Sequence, residues 1–242
     1  MLVLLLSLAC SEPEPEPESA PHPCDAGMTR QVSWSQTPSS SGIHLPTAER
    51  SQLWTDDFVV PEEDGCWCVE TVTLWSHPQE DAYWSDRVNL YFFDDSGPGA
   101  PEPRNNGGSF GPDDCAADCP KAATGEPTTF RPVNDDPEDG RTRPVVMLLP
   151  GRHWFTVDTT STPVENAEGF LWPASDSDTT TEPVWTGDTE GTAIYTDSTW
   201  TPWSDVAPDS PVRDLAFEIH AVADKEVCQA WLDENPWYLE LF

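Results

Sequence analysis

Short segments in which apolar and polar residues alternate recur along the chain, and clusters of Gly, Pro, Asp and Ser separate them. A period of two is typical of half-buried β-strands, and the clusters are typical of the turns between strands. Few segments show the longer period of a helix. The predicted strands begin near Val32 and continue at residues 53–60, 66–75, 87–93, 144–149, 153–157, 169–172, 192–195 and 214–222.

Two of these strands predict which side chains face a core. In residues 66–75 the odd-numbered positions should share one face, and the even-numbered ones, including Cys66 and Cys68, the other. Short strands separated by turns predict an all-β protein built as an antiparallel β-sandwich. The last strand should present an apolar inner face formed by Leu215, Phe217, Ile219 and Ala221.

Two stretches interrupt the alternation and are predicted as long loops. Residues 97–143 are rich in Gly, Pro, Asp and Asn, and residues 159–190 are rich in Thr, Asp, Glu and Ser around the strand at 169–172. After the last strand, residues 223–234 predict one short helix with Val227 and Trp231 on one face, stopped before Pro236. The sandwich domain is therefore assigned to residues 24–222, and a partly helical C-terminal extension to residues 223–242.

The N-terminal segment is short and apolar, and a cysteine follows it. Residues 2–9 are almost wholly apolar but far shorter than the ~20 residues that span a bilayer. The segment resembles the lipobox that ends a bacterial lipoprotein signal, with Ala9 before the cleavage point and Cys10 as the acylated residue. It departs from that family at Ser7, where lipoprotein signals usually have leucine. The resemblance implies a signal peptide at residues 1–9 and palmitate-type acylation of Cys10. It also implies export, with the lipid bilayer of the outer membrane or cell surface as a partner.

A spacer follows the lipidated cysteine. It reads SEPEPEPESAPHP, in which Pro restricts the backbone, Glu repels Glu and almost nothing can be buried. Residues 10–23 are therefore predicted to form a disordered, semi-rigid tether that holds the folded domain away from the membrane.

Six further cysteines predict disulfide bonds, since an even set in an exported chain favours them. Cys66 and Cys68 are too far apart in extended backbone to bridge each other easily, whereas Cys115 and Cys119 in a loop could do so. If both statements hold, the remaining two cysteines take one each of the pair in the strand, in either order. The candidates are Cys24, Cys66, Cys68, Cys115, Cys119 and Cys228.

The charge of the chain restricts its partners. Asp and Glu total 44 against 11 Lys and Arg, a formal net charge of −33, which disfavours binding to nucleic acid. Such a surface favours solubility, and it also permits cation binding. Asp94 and Asp95, at the start of the DDSGPG turn, are candidate ligands for structural calcium, although Asp and Gly form tight turns without a metal. No other cofactor is predicted.

The sequence predicts no enzyme. It has no HExxH, no GxSxG and no glycine-rich phosphate loop, so no catalytic residue is assigned. His153 and His220 lie in predicted strands and are interpreted as structural or surface residues. Most of the 12 tryptophans are predicted to be core residues. Four lie in polar surroundings and could form an aromatic platform for a polysaccharide: Trp84, Trp185, Trp200 and Trp203.

Five motifs occur in order over residues 51–222: TDDFVVP, VNLYFFDDSGPG, LLPGRHWFTVD, GFLW and DLAFEIHA. Together they resemble the jelly-roll-like β-sandwich of many secreted and surface-attached bacterial proteins. This sequence departs from that family at Arg152–His153, in the cysteine-bearing insertion and in the C-terminal extension. The resemblance implies that fold and a surface location, but no ligand. We therefore expect a surface-displayed structural or adhesive module that could contact a surface protein, with a carbohydrate-binding module as the alternative.

Overall fold

The computed structural model describes residues 22–25, 27–39, 44–47, 53–75, 88–95, 101–105, 108–112, 127–132, 146–158, 170–175, 184–186, 201–206, 208–209 and 214–240. Within these residues the protein is mostly β, with one substantial helix near the C-terminus. The strands are β1 (Arg30–Gln36), β2 (His44–Thr47), β3 (Leu53–Val60), β4 (Trp67–Trp75), β5 (Val88–Asp95), β6 (Pro101–Asn105), β7 (Gly108–Pro112), β8 (Pro127–Pro132), β9 (Met147–Leu148), β10 (Gly151–Asp158), β11 (Phe170–Ser175), β12 (Val184–Thr186), β13 (Thr201–Pro202), β14 (Asp214–Leu215) and β15 (Phe217–Ala223). The helices are α1 (Trp203–Val206) and α2 (Lys225–Glu234), and 3-10 turns lie at Pro23–Asp25 and Pro236–Glu240.

The strands form two antiparallel sheets. The large sheet has the order β1-β15-β4-β8-β7-β5-β10-β3-β12-β13, with β6 paired to β5 and β9 paired to β4. The small sheet has the order β14-β11-β2. Every strand pair in the described part of the chain is antiparallel. The prediction of a mostly β protein with antiparallel sheets is confirmed.

Both sheets contribute side chains to one aromatic core. Phe155 of β10 and Phe217 of β15 have ring centroids 5.0 Å apart, and Trp172 of β11 meets the Phe155 ring edge-on at 5.7 Å. Leu215 of β14 is fully buried in the same cluster. Because buried aromatic rings contribute large apolar areas, this shared cluster is the main hydrophobic contact between the two sheets.

Strand β4 changes face in the middle, which corrects the predicted alternation. The register on β15 passes from His220 opposite Thr71 to Ala221 opposite Val69, so Glu70 is an extra residue in the ladder. A β-bulge of this kind shifts the side-chain alternation by one residue. The core side of β4 therefore carries odd-numbered residues before the bulge and even-numbered residues after it: Trp67, Val69, Val72 and Leu74.

The strand predicted at residues 214–222 is confirmed, but it divides between the two sheets. Asp214 and Leu215 pair with β11, whereas Phe217 onward pairs with β4 and β1. Ala216 lies at the crossing and is buried. The predicted inner face is confirmed, since all of its members belong to the aromatic core: Leu215, Phe217, Ile219 and Ala221.

The predicted long loops contain strands, which corrects the loop assignment. Residues 97–143 include β6, β7 and β8, and residues 159–190 include β12 as well as β11. Strand β2 was also not predicted. These segments lack clear alternation, and pairing with neighbouring strands overrides their weak propensity. Phe130 of β8 illustrates this, since it is fully buried in the core although its strand reads PTTFRP. The strand predicted at residues 192–195 lies outside the described residues.

The C-terminal helix is confirmed, with its start two residues later than predicted. Asp224 is the N-cap, and one of its carboxylate oxygens accepts hydrogen bonds from the backbone N–H groups of Glu226 and Val227. The helix ends at Glu234, before Pro236, as expected. Val227 and Trp231 both pack on the rest of the protein, as their shared face predicted.

Two disulfides hold the ends of the described chain against β4. Cys24 bonds to Cys68 and Cys66 bonds to Cys228, with Cα–Cα distances of 5.4 and 5.7 Å. The structure thus decides between the two pairings that the sequence left open. Cys10, Cys115 and Cys119 lie outside the described residues. Around the bridges is a second apolar cluster, the disulfide cluster, formed by Met28, Cys66, Cys68, Met147, Val222, Cys228, Trp231 and Leu232.

A tight turn before β4 fits against the start of α2. Asp64 in this turn accepts hydrogen bonds from Arg30 Nη1 at 2.6 Å and from Trp67 Nε1 at 3.0 Å. Gly65 follows with φ +73°, and a Cβ added there would lie 2.5 Å from the Lys225 Cα. Only glycine combines this backbone conformation with so close an approach.

We expect Gly65→Ala to lower the free energy of unfolding by about 2–4 kcal/mol, since left-handed backbone strain adds to a clash with backbone. Gly27→Ala is the matched control, because Gly27 has φ +77° but nothing within 4 Å of an added Cβ. That control should lose only about 1–2 kcal/mol from backbone strain. Chemical denaturation of both variants measures the difference, and equal losses would contradict the close-approach explanation.

Candidate functional site

The two acidic residues of the DDF motif lie on opposite faces of β3. Asp56 is opposite Phe155 in the ladder and faces the core, whereas Asp57 is opposite Trp154 on the other face. Both carboxylates are fully buried. The motif therefore places one carboxylate between the two sheets and a second on the reverse side of the same strand.

The Asp56 carboxylate connects the two sheets. Its Oδ2 accepts a hydrogen bond of 2.6 Å from the backbone N–H of Leu215, and its Oδ1 accepts one of 3.0 Å from the N–H of Asp57. Nearby, Trp172 Nε1 donates to the Ala216 carbonyl at 2.7 Å. Buried polar groups satisfied in this way fix the position where residues 214–217 pass from the small sheet to the large one.

The environment of Asp56 favours its protonated form. Burial raises the pKa of Asp56 well above its ordinary value, and the neighbouring Asp214 and Asp57 carboxylates raise it further. The two backbone hydrogen bonds act in the opposite direction but have less effect in total. The arrangement is thus a buried acid that binds backbone, and its lone pairs point at the two N–H groups.

Asp57 has a basic partner on the outer side of β3. Arg152 Nε, on the adjacent strand β10, lies 3.1 Å from Asp57 Oδ2. Arg152 is one of the two residues at which this sequence departs from the jelly-roll-like motif. An ion pair between neighbouring strands explains the departure, because a buried carboxylate needs a compensating group.

His153, the second departure, is buried on β10 between two acceptors. Its Nε2 lies 2.6 Å from the Leu149 carbonyl, and its Nδ1 lies 2.9 Å from Asp94 Oδ1. A carbonyl only accepts, so Nε2 carries a proton and donates it. The interpretation of His153 as a structural residue agrees with these contacts. His220 lies near the surface, with Nε2 at 3.4 Å from Glu218 Oε1.

The carboxylates proposed as calcium ligands both have partners within the protein. Asp94 faces His153, and Asp95 Oδ1 accepts a hydrogen bond of 3.0 Å from Trp154 Nε1. Within the described residues there is no group of three His, Cys, Asp or Glu side chains placed to hold a metal ion. Residues 96–100 of the adjacent turn lie outside the described residues, so a calcium site there stays a prediction.

The predicted aromatic platform lies outside the described side chains. Trp84 and Trp200 fall in undescribed segments, and for Trp185 and Trp203 the structure describes only the backbone, in β12 and α1. Among the tryptophans whose side chains the structure describes, Trp237 is exposed and Trp34 and Trp75 are half-buried, whereas the buried ones are Trp67, Trp154, Trp172 and Trp231.

An aromatic patch at the C-terminus was missed by the sequence reasoning. Trp237 is 54 % exposed and is the most exposed large apolar residue among the described side chains. Its ring lies 5.9 Å from Tyr238, which in turn lies 5.0 Å from Trp231. The ring of His22 contacts Trp231 at 5.2 Å. The patch is formed by His22, Trp231, Trp237 and Tyr238, and it adjoins the point at which the N-terminal spacer meets the domain.

Within this patch, Trp237 is the one side chain exposed enough to stack on a ligand. The Tyr238 ring is nearly perpendicular to both tryptophans, at 75° and 76°, so these rings do not form a coplanar row. Burial, together with the nearby Asp94 carboxylate, raises the pKa of Tyr238 to about 12. The WxxxxxWY spacing across 231–238, with Pro236 ending the helix, was the available signal for an aromatic patch.

The Asp56→Asn substitution should destabilise the protein, and the effect should decrease as pH rises. Asn keeps one acceptor oxygen but turns an NH₂ group toward a backbone N–H, which we expect to cost about 1–3 kcal/mol near pH 4. A carboxyl whose pKa is raised by folding contributes most stability below its unfolded pKa and loses that contribution as pH rises toward its folded pKa. Because Asn does not titrate, the advantage of wild type over the variant should shrink as pH rises above the ordinary pKa of an aspartate.

Urea denaturation of both proteins at several pH values measures this difference. Asp209→Asn, at an exposed position, is the matched control for the loss of one acidic residue. It should show no comparable trend relative to wild type. A gap between wild type and Asp56→Asn that stays flat or widens toward neutral pH would contradict the assignment.

Comparison with known proteins adds no relative. No protein-family model matches the chain, and no curated protein and no solved structure matches it. Among the residues that the structure describes, no helix combines the length and apolar character needed to cross a bilayer.

Proposed function

We propose that the protein is an exported bacterial lipoprotein that displays a non-catalytic, structural or adhesive β-module at the cell surface. The observation that carries the proposal is the pair of disulfides, Cys24–Cys68 and Cys66–Cys228. Such bonds persist in oxidising compartments and are rare in the cytosol of mesophiles. The two bonds support export. Cys24–Cys68 also attaches the end of the domain that adjoins the spacer to strand β4.

The N-terminal sequence supplies the anchor in this proposal. Cys10 receives the lipid, and the Pro- and Glu-rich residues 11–23 separate the bilayer from the domain. At about 3.1 Å per residue, a polyproline-like spacer of this length would reach about 40 Å. The net charge of −33 supports the same arrangement, because an acidic domain is repelled by an anionic membrane surface.

The β-module is proposed to be a jelly-roll-like sandwich. Two antiparallel sheets with a common core support this, as does the direct contact between two of the motifs. Asp56 of the DDF motif accepts its hydrogen bond from Leu215 of the DLAF motif. A hydrogen bond between residues 159 positions apart gives both motifs a structural reason to occur together.

The non-catalytic part of the proposal is supported by the partners of the polar residues. Asp56 binds backbone, Asp57 contacts Arg152, and His153 lies between Asp94 and a carbonyl. An acid, base or nucleophile needs a free lone pair or proton directed at substrate. The polar atoms of these side chains instead face other groups of the protein.

Lipidation of Cys10 is tested by expressing the chain in a bacterial host with an alkyne-labelled fatty acid. Wild type should incorporate the label and sediment with membranes, whereas Cys10→Ser should be unlabelled and lose most of its membrane association, since the acyl chains on Cys10 are the proposed anchor. Ser19→Ala in the spacer is the control and should behave as wild type. Label on the Cys10→Ser variant, or none on wild type, would reject the anchor.

A carbohydrate-binding module is the second candidate, and the exposure of Trp237 favours it. An indole that is 54 % exposed could stack on a sugar ring, since flat aromatic faces pack on apolar faces of ligands. The patch lies next to the spacer, so a bound glycan would be held near the cell surface. The four tryptophans predicted from the sequence remain further candidates for the same role: Trp84, Trp185, Trp200 and Trp203.

A glycan array on residues 19–242, with calcium and again with EDTA, tests this candidate. If the module binds sugar through the C-terminal patch, Trp237→Ala should reduce binding about fivefold or more, by analogy with an aromatic side chain stacked on a nucleic-acid base, which contributes about 1–3 kcal/mol. Val59→Ala, which removes another exposed apolar side chain, is the control and should retain binding. Loss of binding only in Trp84, Trp185, Trp200 or Trp203 variants would instead assign the platform to those tryptophans. The absence of glycan binding in both buffers would reject the carbohydrate-binding module.

A further inference from the structure

We infer that the two disulfides form a covalent path that carries tension from the N-terminal spacer to the C-terminal segment and bypasses the β-domain. The shortest covalent route between the ends runs from Cys24 to Cys68, through Trp67 to Cys66, and on to Cys228. Residues 25–65 and 69–227 are not part of this route. The biological use of the path rests on the proposed surface anchor, whereas the path itself depends only on the disulfide pairing.

The position of β1 explains why such a path matters. β1 is the edge strand of the large sheet, and Arg30 at its start pairs with Ala223 at the end of β15. The N-terminal and C-terminal segments thus leave the sheet at the same end of one antiparallel pair. Tension between them would open the β1–β15 ladder one residue pair at a time, beginning at Arg30 and Ala223.

The disulfides meet β4 at this same end of the sheet. Cys68 is opposite Val222 and Trp67 is opposite Ala223 in the β4–β15 ladder. Tension that reaches Cys24 therefore passes into β4 beside the point where unzipping would begin. It leaves again two residues away through Cys66, so the β1–β15 ladder lies off the route, whereas the part of α2 that follows Cys228 lies on it.

The bonds are protected by the surrounding packing. Cys66, Cys68 and Cys228 are buried in the disulfide cluster, under Trp231 and Leu232 of α2. Cys68 Sγ also contacts Met28 Sδ at 3.8 Å. Burial restricts the access of an attacking thiolate, which slows exchange of the bonds while the domain is folded. The path should therefore persist in a mildly reducing medium.

Single-molecule force spectroscopy on a chain held at residues 11 and 242 tests the inference. At about 3.6 Å per residue, the oxidised protein should reach a contour length of only about 120 Å when Cys24–Cys68 and Cys66–Cys228 are both closed. It should show no unfolding step beyond that length. Full reduction should release the whole chain, to about 830 Å.

Two double variants assign the segments of the path. With C24S/C68S the contour length should be about 250 Å, and with C66S/C228S about 670 Å, because each change removes a different shortcut. C115S/C119S is the matched control, since both positions lie in the bypassed segment, and it should keep the short length. Each length follows from covalent connectivity, provided that the remaining disulfide of that variant has its native pairing.

The outcomes separate this inference from the proposed lipid anchor. An oxidised wild-type chain that extends to about 250, 670 or 830 Å lacks one or both bonds, and would overturn the path. An increase in length for C115S/C119S would also overturn it, since those cysteines would then lie on the route. Failure of acyl labelling at Cys10 rejects the anchor but leaves the measured lengths unchanged.

Discussion

The structure depends on the attachment of both chain ends to one strand. Cys68 lies in β4 and Cys66 lies directly before it, and the disulfides from these residues hold the N-terminal 3-10 turn and α2. The face of β4 opposite Cys68 supplies Trp67 and Val69 to the aromatic core. One strand therefore lies between two apolar clusters, and the bulge at Glu70 lets its second half keep apolar residues on the core side.

A single buried carboxylate has a corresponding role between the sheets. Hydrophobic contact alone holds two sheets together without defining their relative position, since dispersion and burial are not directional. The hydrogen bond from Leu215 to Asp56 is directional and defines where the chain crosses from one sheet to the other. Burying this acid beside Asp214 is costly for its charged form, which is why its pKa is raised.

Sequence patterns predicted the strands that contact the core most directly. Residues 53–60 and 214–222 were recognised because alternating apolar residues are needed wherever one face of a strand is buried. Strands β6, β7 and β12 carry no such pattern, and backbone pairing with neighbours defines them instead. The same reasoning accounts for β4, because a one-residue bulge is a property of the ladder and is invisible in the composition of one strand.

The candidate site was predicted only in part, for a similar reason. The sequence indicated the DDF and DLAF motifs, the acidic turn at residues 94–99 and the even set of cysteines, since each is a local pattern of residue types. It could not show that Asp56 binds Leu215, that Asp94 faces His153 or that Trp237 is exposed, because these depend on residues distant in the chain.

By itself, the sequence determined that the protein is mostly β, that a short helix follows the last strand and that Cys24, Cys66, Cys68 and Cys228 are disulfide cysteines. Periodicity, helix-stopping residues and an even cysteine count act locally and need no knowledge of the fold. Only the tertiary structure decided that Cys24 pairs with Cys68 and Cys66 with Cys228. A disulfide requires two Cα atoms within a few ångströms, and folding alone determines which distant residues come that close.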